Sequence, residues 1–563
     1  MTVRVTQFLI AGAVGLVAIG GVLAEEPALP AIEAESADIA ESAGIAESAD
    51  ADEAAVPELV LDETSVAIRD LIADAGSQGS FLDKRDAAAV AEFYTERNYG
   101  PAWLEDGVVT EKLGALIARI RAAHIDGLDP SAYALPTKGL INYAGSMPVF
   151  AAQADVMLSQ AIAAYAREAY SGRIDPAKIS ENIGYKRRLP DLIEALTKVA
   201  AADDPIETLV GYNPPQSEFA ALRDKLADLR GAGKPKKPLQ IPTGLTLKTG
   251  VEDARVGFLR QRLALPTDVE SPALFGEEMI VAVKAFQRSS QLQVDGVVGP
   301  KTIAVLNADP IDPIPTILVN MEKWRWMPRD LGKFYVRVNV PDFTVNVYKN
   351  GGVIHETRVV VGKTANQTPI FSDEIEHIVV NPAWYVPASI IRNEMLPQVL
   401  SNPNALNKYE VFALSKGRYR QVNPRRFNWR KIDARKLQVR QPPGSGNALG
   451  KVKFMFPNEY AVYLHDTPSK SLFKKDYRAY SHGCVRVMNP MEFADALLAL
   501  EDERDADYLE GLYGRSEQHV NLTRKIPVHV TYLTAWVDEA GELQTRNDLY
   551  GHDKRIAKAA GTS

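Results

Sequence analysis

The spacing of apolar residues changes once along this chain, near residue 333, and that change limits the folds available to it. Before residue 333, apolar side chains recur at three- and four-residue intervals, as over 87–94, which is the period of an amphipathic helix. From Lys333 onward they alternate, as at Val336, Val338 and Val340, which is the period of a strand with one buried face. The 563 residues therefore predict an α+β multidomain chain, with helical domains first and a mainly β domain after them.

Two helical units precede the change. Residues 64–245 form the longer unit, and because they contain no grouping of nucleophile and base we predict a helical scaffold domain there. A Gly-, Pro- and Lys-rich stretch over 231–238 has the composition of a linker. Residues 251–307 form a smaller unit of three short helices, with Pro300 at the favoured first position of the third.

The N-terminus is typical of an exported protein. An apolar run follows Arg4 and ends in small residues at Ala24, so 1–24 is predicted to be a signal peptide or an uncleaved anchor in the inner membrane. Residues 25–63 hold thirteen Asp and Glu and no Lys or Arg, which predicts an acidic disordered tether. Without this segment and Arg4, the total charge of −8 becomes nearly neutral, so nothing indicates a nucleic-acid partner.

The β part begins with a clear hairpin signal and then continues as strands. Asn350-Gly351-Gly352 is a hairpin turn between two alternating runs. Strand character returns over 451–456 and 461–464, and a closing strand is predicted over 528–537. Between these, Asn489-Pro490 followed by Glu492 predicts a helix that starts in a capping-box arrangement.

Residues 388–440 do not fit the strand pattern. They begin helix-like and continue with a high density of Arg and Lys. A long insertion inside a β domain is often a lid, and we predict that role here. The alternative is a solvated basic face.

Cys484 is the only cysteine of the chain, so an internal disulfide is excluded. An inert buried thiol, an intermolecular bridge and a reactive nucleophile all remain open from the count alone. The local sequence Ser481–Arg486, Ser-His-Gly-Cys-Val-Arg, favours the nucleophile. Because a free thiol has a pKa of about 8.5, it needs a base, and His465 after a strand-like run is the candidate for general base and then acid.

The neighbours of Cys484 suit acyl transfer. Gly483 lets backbone approach a substrate, so the N–H groups of Gly483 and Cys484 are candidates for holding an oxyanion. Arg486 is a candidate for pairing with a carboxylate, with a structural ion pair as the alternative. Tyr463 is a candidate for the oxyanion hole or, as a strand aromatic, for the core.

These residues resemble the signature of the L,D-transpeptidase catalytic domain, the YkuD-like family. Eighteen residues separate His465 from Cys484, and the family motif matches through Ser481–Arg486. The resemblance extends over about 334–505. Segments 381–387 and 444–450 are similar to a large periplasmic subfamily of LdtD/YcbB type, which also has a scaffold domain, a peptidoglycan-binding domain and a lid.

The smaller helical unit has its own resemblance. Residues 282–287 and 292–302 are similar to the peptidoglycan-binding domain type 1. A helical spacer that has lost its ligand is the alternative. The predicted domains are therefore the scaffold, the peptidoglycan-binding unit, an L,D-transpeptidase domain over 333–505 with a lid at about 388–440, and a C-terminal closing segment over 506–563.

The family resemblance implies a reaction. Cys484 would attack the third-residue carbonyl of a tetrapeptide stem and release D-alanine, and the amine of a second stem would resolve the thioester as a 3→3 cross-link. The implied partners are peptidoglycan stems and glycan, the implied location is the periplasm, and carbapenems are the implied inhibitors. No cofactor and no metal are expected. The implied supporting residues are Ser481, His482, Gly483 and Tyr463 for site architecture or the oxyanion, and Arg486 and Trp384 for substrate.

Other functions remain open on sequence grounds. A zinc peptidase could use His465, His482 and Cys484 as three ligands with an open fourth position, but no His-Glu-x-x-His motif or further acidic ligand pattern supports it. A non-catalytic wall-binding protein would not need an intact His and Cys. The same chemistry with another acceptor, an amine of an outer-membrane protein or water, is not separated from cross-linking by the sequence.

Overall fold

A computed structural model of the chain describes residues 61–73, 83–105, 108–233, 237, 239–290, 292–308, 312–501, 504–514 and 516–561. The predicted export segment 1–24, nearly all of the predicted tether 25–63 and most of the linker core at 234–238 lie outside these residues. None of the helices described is both long and apolar enough to cross a membrane.

The N-terminal unit is helical, as the sequence predicts. Its elements are α1 (Glu63–Ala73), α2 (Ala87–Glu96), the short strands β1 (Leu104–Glu105) and β2 (Val108–Val109), α3 (Glu111–Arg121), α4 (Lys138–Ala144), α5 (Pro148–Ser171), α6 (Leu192–Ala201), α7 (Pro205–Val210) and α8 (Ser217–Ala232). Helix α5 is alanine-rich and buried along most of its length. Small side chains let α1, α4 and α6 pack closely around it.

Three short helices follow, again as predicted. They are α9 (Arg255–Arg262), α10 (Glu277–Ser289) and α11 (Pro300–Asn307), and Pro300 lies in the first turn of α11. The side chain of Gln287 fixes the turn before α11, because its amide bonds the Asp295 carboxylate (2.8 Å) and the Gly296 N–H (2.8 Å). The core of this unit consists of its own apolar residues, among them Val256, Leu259, Phe275, Met279, Val283, Ile303 and Leu306.

Helix α12 (Ile314–Trp326) joins the scaffold to the β domain. Glu322 accepts the Ile174 N–H of the scaffold at 2.8 Å. On the other side, Asn320 donates to the Thr534 hydroxyl at 2.8 Å. The helix is therefore buried between the two units, which explains why even its polar residues are inaccessible to water.

The β domain opens with four strands, of which the first three pair antiparallel in chain order. They are β3 (Phe334–Asn339), β4 (Thr344–Lys349), β5 (Gly352–Gly362) and β6 (Phe371–Val380). The hairpin between β4 and β5 turns at Asn350 and Gly351, both with positive φ (51° and 84°). This is the turn predicted from Asn-Gly.

The insertion after β6 is a small subdomain with its own core. It contains β7 (Trp384–Tyr385), α13 (Ala388–Ile390), a π-helical turn (Ile391–Met395), α14 (Leu396–Ser401), β8 (Glu410–Ser415), β9 (Arg418–Val422) and β10 (Leu437–Gln441). The strands form a sheet in the order β7-β10-β8-β9. The helical start agrees with the sequence, but the strands do not appear in the prediction, because exposed Arg and Lys obscure the alternation that buries Leu437 and Val439.

The remaining elements return to the main sheet. They are β11 (Val452–Met455), β12 (Leu464–His465), β13 (Ala479–Ser481), β14 (Val485–Val487), α15 (Pro490–Leu498), α16 (Ala506–Glu510), β15 (Gln518–Thr531), β16 (Ala535–Val537), β17 (Leu543–Thr545) and α17 (His552–Ala560).

Eight strands close into a barrel. Their order is β5-β14-β12-β11-β6-β15-β3-β4, and β4 pairs back with β5 while β13 adds to β5. The pairs β12–β14 and β15–β3 are parallel. The interior is filled mainly by valine, isoleucine, leucine and phenylalanine, among them Val338, Val347, Val361, Ile378, Phe454, Leu464, Val485 and Val530.

Three local predictions are wrong in detail. The strand predicted over 461–464 begins only at Leu464, because the Asn458 side chain bonds the N–H and the carbonyl of Val462 and holds a turn in which Ala461 has φ 52°. Asn489 bonds the Glu492 side chain (2.8 Å) but makes no capping-box bond to backbone.

The predicted closing strand over 528–537 is two strands, β15 and β16. Strand β15 begins ten residues earlier, at Gln518, and is an inner strand of the barrel between β6 and β3. A bulge between Asn521 and Ile526 interrupts its pairing, so the polar first half shows no regular alternation in sequence.

Candidate active site

Parallel pairing of β12 and β14 places the predicted nucleophile and base on the same face of the sheet. Leu464 pairs with Val485, and both are buried in the barrel core. Side chains one residue away on either strand therefore point to the opposite, outer face. Those side chains are Tyr463, His465, Cys484 and Arg486, four of the residues predicted for the site.

The His465 ring is buried and held by its own backbone. Its side chain is only 4% exposed, and its Nδ1 lies against the Asp466 carbonyl oxygen. A carbonyl only accepts, so Nδ1 carries the proton and Nε2 keeps a free lone pair. Burial, followed by the charge of Arg486, lowers the pKa of His465 to about 3, so the imidazole is neutral.

The contacts of Asp466 explain why segment 444–450, which resembles the large periplasmic subfamily, ends in a glycine. The Asp466 carboxylate accepts from the Lys451 N–H (2.9 Å) and the Lys470 ammonium (2.7 Å). Gly450, at the end of segment 444–450, has φ +63°, and a Cβ there would lie 2.2 Å from Asp466 Oδ2. Only glycine leaves space for the carboxylate that fixes the strand carrying His465.

The loop before Cys484 is held by Ser481. Its hydroxyl donates to the Cys484 carbonyl (2.5 Å) and accepts the Gly483 N–H (3.2 Å). Gly483 has φ +120°, and its carbonyl accepts the Thr368 hydroxyl at 2.7 Å. The Gly483 N–H is thus occupied, contrary to its predicted availability for an oxyanion. Within the described part of the chain, no acceptor bonds the Cys484 N–H.

The Cys484 thiol is partly exposed. Burial raises its pKa, while hydrogen bonds from the Tyr463 backbone and hydroxyl and the charges of Arg486 and Lys453 act in the opposite direction. Tyr463 also meets the His465 ring edge-on, with centroids 5.7 Å apart. Its hydroxyl hydrogen-bonds the Trp384 side chain, so this residue of β7 in the inserted subdomain joins the site as well.

Lys453 is a site residue that the sequence does not single out. It is the antiparallel partner of His465 on β11, and its Nζ lies 5.7 Å from the centroid of the Tyr463 ring. A lone lysine in a strand belongs to no motif. Only the pairing of strands shows that it faces the site.

His482 points towards the lid. Its Nε2 lies against the Glu394 carboxylate of the π-helical turn and 3.4 Å from Lys363 Nζ. Lys363 is 3.9 Å from the same carboxylate. These three side chains connect the lid to the loop that carries Cys484.

The scaffold also supports this loop. Residues around Ile183 form a parallel bridge with Ile370, and the Gly184 N–H donates to the Ile370 carbonyl at 2.8 Å. Thr368, two residues before Ile370, bonds Gly483 as described. The scaffold therefore positions the segment that holds the nucleophile loop.

The described residues contain no group of three or more His, Cys, Asp or Glu side chains arranged to hold a metal ion. The zinc alternative would require His465, His482 and Cys484 to converge. Instead His465 bonds its own backbone turn and His482 bonds the lid.

Three segments of the chain match family models. Residues 88–226 match a scaffold domain, 254–306 match a "Putative peptidoglycan binding domain", and 333–508 match the L,D-transpeptidase catalytic domain. These matches confirm the predicted resemblance to the L,D-transpeptidase catalytic domain, the peptidoglycan-binding domain and the scaffold domain and, with the elements above, the predicted fold class.

A curated protein that is similar to part of this chain carries the same description. A Haemophilus influenzae protein described as "Putative L,D-transpeptidase" is 33% identical over 220 residues, which cover 39% of this chain and 44% of that protein. The chain thus matches less than half the length of this curated relative.

Solved structures of two L,D-transpeptidases were also found. The Mycobacterium smegmatis enzyme is 15% identical and covers 35% of this chain and 58% of its own, with a TM-score of 0.18. The Xylanimonas cellulosilytica enzyme is 15% identical, and the match covers 52% of this chain and 99% of that one, with a TM-score of 0.17. Both TM-scores are too low for a comparison of geometry.

Proposed function

We propose that this chain, which carries an L,D-transpeptidase catalytic domain beside a scaffold and a peptidoglycan-binding domain, forms 3→3 cross-links in peptidoglycan. The observation that carries the proposal is the register of β12 and β14, which puts a neutral His465 with a free Nε2 on the same face as the Cys484 thiol.

In the first half of the reaction, Cys484 is acylated. His465 Nε2 takes the thiol proton as Sγ bonds the carbonyl carbon of the third residue of a tetrapeptide stem. The oxyanion that develops accepts hydrogen bonds from the Cys484 N–H and from the Tyr463 hydroxyl, which no longer donates to Sγ once the sulfur is bonded to carbon. The bond to the terminal D-alanine then breaks, and His465 returns the proton to the leaving amine.

In the second half, an amine of another stem attacks the thioester. His465 takes a proton from that amine, the new amide forms, and the sulfur leaves as a thiolate that recovers the proton. The donor stem ends joined to the acceptor, and the enzyme is restored. Water in place of the amine would give a shortened stem instead of a cross-link.

The other domains support delivery of the substrate. The unit over 251–307 would attach the enzyme to the sacculus, and the lid over 388–440, rich in arginine, would attract stem carboxylates. This activity fits export to the periplasm, as the predicted segment 1–24 indicates.

The decisive experiment compares muropeptides by mass spectrometry after incubation of tetrapeptide-containing substrate with wild type and Cys484→Ala. Wild type should give 3→3 dimers and release D-alanine, whereas Cys484→Ala should give neither. Dimers formed by Cys484→Ala would overturn the nucleophile. Shortened stems without dimers would show that the same site hydrolyses the stem and does not cross-link it. Stems joined to a protein amine would show that the acceptor is a protein.

A further inference from the structure

Two cations lie on either side of His465. Lys453 is its strand partner on β11, and Arg486 is its strand partner on β14. Directly paired residues point to the same face of a sheet, and neighbouring strands are about 4.8 Å apart. Lys453, His465 and Arg486 therefore form a row across three strands, beside the Cys484 thiol.

Neither cation has a protein carboxylate as partner. Among the residues described by the structure, no ion pair or hydrogen bond involves the Lys453 ammonium or the Arg486 guanidinium, and Arg486 Nε is buried without an acceptor. The charge of Glu517 opposes the lowering of the Lys453 pKa, but the Glu517 carboxylate accepts the Ala383 N–H and lies 3.5 Å from His519.

Such an arrangement has a cost. Lys453 and Arg486 are both partly buried, and burial lowers the pKa of each. A partly buried charge is normally paired, because the loss of hydration is otherwise uncompensated. Two unpaired cations beside a reactive thiol therefore indicate an anionic group that arrives with the substrate.

We propose that Lys453 and Arg486 form a subsite for a carboxylate of the acyl donor, and that this subsite selects donors by that carboxylate. The subsite rests on the proposed function. His465 must protonate the leaving amine, so that amine lies next to the imidazole. In a donor that ends one residue after the scissile bond, the free α-carboxylate is attached to the carbon that bears this amine, which places it among the cations flanking His465.

Where the third residue of the stem carries a side-chain carboxylate, that group is a second source of the same chemistry. Three soluble donors separate the sources: the free tetrapeptide, its C-terminal amide, and the tetrapeptide with that side-chain carboxylate amidated. Acylation of Cys484 is followed by intact mass, and kcat/KM is determined for each donor.

The test variant is Lys453→Met, which keeps the length of the side chain and removes its charge. The control is Lys451→Met, which removes an exposed cation whose Nζ lies 4.4 Å from the centroid of the Tyr513 ring. Lys453→Met should lower kcat/KM for the free tetrapeptide by about 10- to 100-fold, the range expected for a hydrogen bond to a charged group. Lys451→Met should leave kcat/KM for the free tetrapeptide unchanged, and Lys453→Arg, which keeps the charge, should retain most of it.

The amidated donors give the decision. If the C-terminal amide is a poor donor for wild type and is insensitive to Lys453→Met, the α-carboxylate occupies the subsite. If the side-chain amide behaves in that way, the subsite stands and holds the third residue's carboxylate. If Lys453→Met lowers kcat/KM equally for all three donors, and alkylation of Cys484 by iodoacetamide slows in parallel, Lys453 acts on the thiol. The proposed subsite is then wrong.

Two further outcomes are distinguishable. A wild-type enzyme that is acylated by none of the donors would contradict the proposed function and not the subsite alone. Should Lys453→Met melt at a lower temperature than wild type, the comparison is made with Lys453→Arg and Lys453→Gln. If the ratio of kcat/KM for the free tetrapeptide to that for its amides is the same in wild type and in every folded Lys453 variant, the subsite is overturned.

Discussion

One hydrogen bond decides the chemistry open to His465. The Asp466 carbonyl holds the Nδ1 proton, and burial next to Arg486 keeps the ring neutral. A neutral imidazole with a fixed tautomer accepts a proton at Nε2 without first losing one. The site therefore does not require a preformed thiolate, which agrees with the raised pKa of Cys484.

This geometry predicts the pH dependence of acylation. Protonation of His465 removes the base, and because its pKa is lowered to about 3, that loss occurs well below the 6.5 of a free histidine. The rate of acylation of Cys484 by a carbapenem should therefore stay level from pH 7 down to about pH 5. Stopped-flow or intact-mass kinetics would measure it.

His465→Gln serves as the control, with an expected loss of about 10²- to 10⁴-fold at every pH in this range. An acid limb centred near pH 6.5 in wild type would show that the imidazole titrates normally and would contradict the neutral, buried base.

The sequence predicts one part of the site and misses another. Cys484 and His465 are recognisable because a nucleophile and a base occur in a local motif. Lys453 and Glu394 are not, because each meets the site through strand pairing or lid folding with residues distant in sequence. The Gly483 N–H fails as an oxyanion donor for a similar reason, since only the folded loop shows that Ser481 occupies it.

At the level of elements, the lid meets the nucleophile loop through a π-helical turn. The turn Ile391–Met395 presents Glu394 to His482 and Lys363. π-Helical turns are rare and often occur at functional sites. The helical start of the lid is predictable from sequence, but this contact is not, because it depends on where the β7–β10 sheet places the turn.

Glu394→Gln should weaken the contact between the predicted lid and the loop that carries Cys484. An ion pair that is this exposed is worth about 1 kcal/mol at most, so the ratio of hydrolysed to cross-linked product should rise by no more than about fivefold. The physical reason is easier entry of water to the thioester. Product ratios are read from muropeptide mass spectra.

The matched control is Asp433→Asn, which removes an exposed pair with Arg435 (2.7 Å) elsewhere in the same lid. It should leave the ratio unchanged. An equal change in both variants would assign the effect to general lid stability and not to the contact with His482.

Across the whole molecule, three histidines are buried in the neutral form. Burial lowers the pKa of His465 to about 3 and those of His529 and His552 to about 4. His529 lies in the barrel strand β15, and His552 begins α17 against Tyr532. They are therefore spread over the catalytic sheet and the C-terminal segment.

These histidines predict acid lability. Below pH 6.5 the unfolded chain takes up protons that the folded chain refuses, so the free energy of unfolding should fall as pH drops from about 6.5 to about 4. Each histidine contributes up to about 1.4 kcal/mol per pH unit. Thermal melts across this range should show a melting temperature that falls as pH drops. The slope of melting temperature against pH should be smaller in His552→Gln but not in His124→Gln, an exposed control. A slope unchanged by His552→Gln would contradict the assignment.

Because β15 lies between β6 and β3, the barrel can close only after this late strand has been synthesised. Translation reaches Cys484 before it reaches residues 518–531, the strand that joins β6 to β3. Until then both of those strands present open edges, which invite pairing with other chains. The ribosome thus delivers the Cys484 side chain ahead of the strand that closes the barrel, and a nascent chain stopped before residue 518 carries the candidate nucleophile in an open sheet.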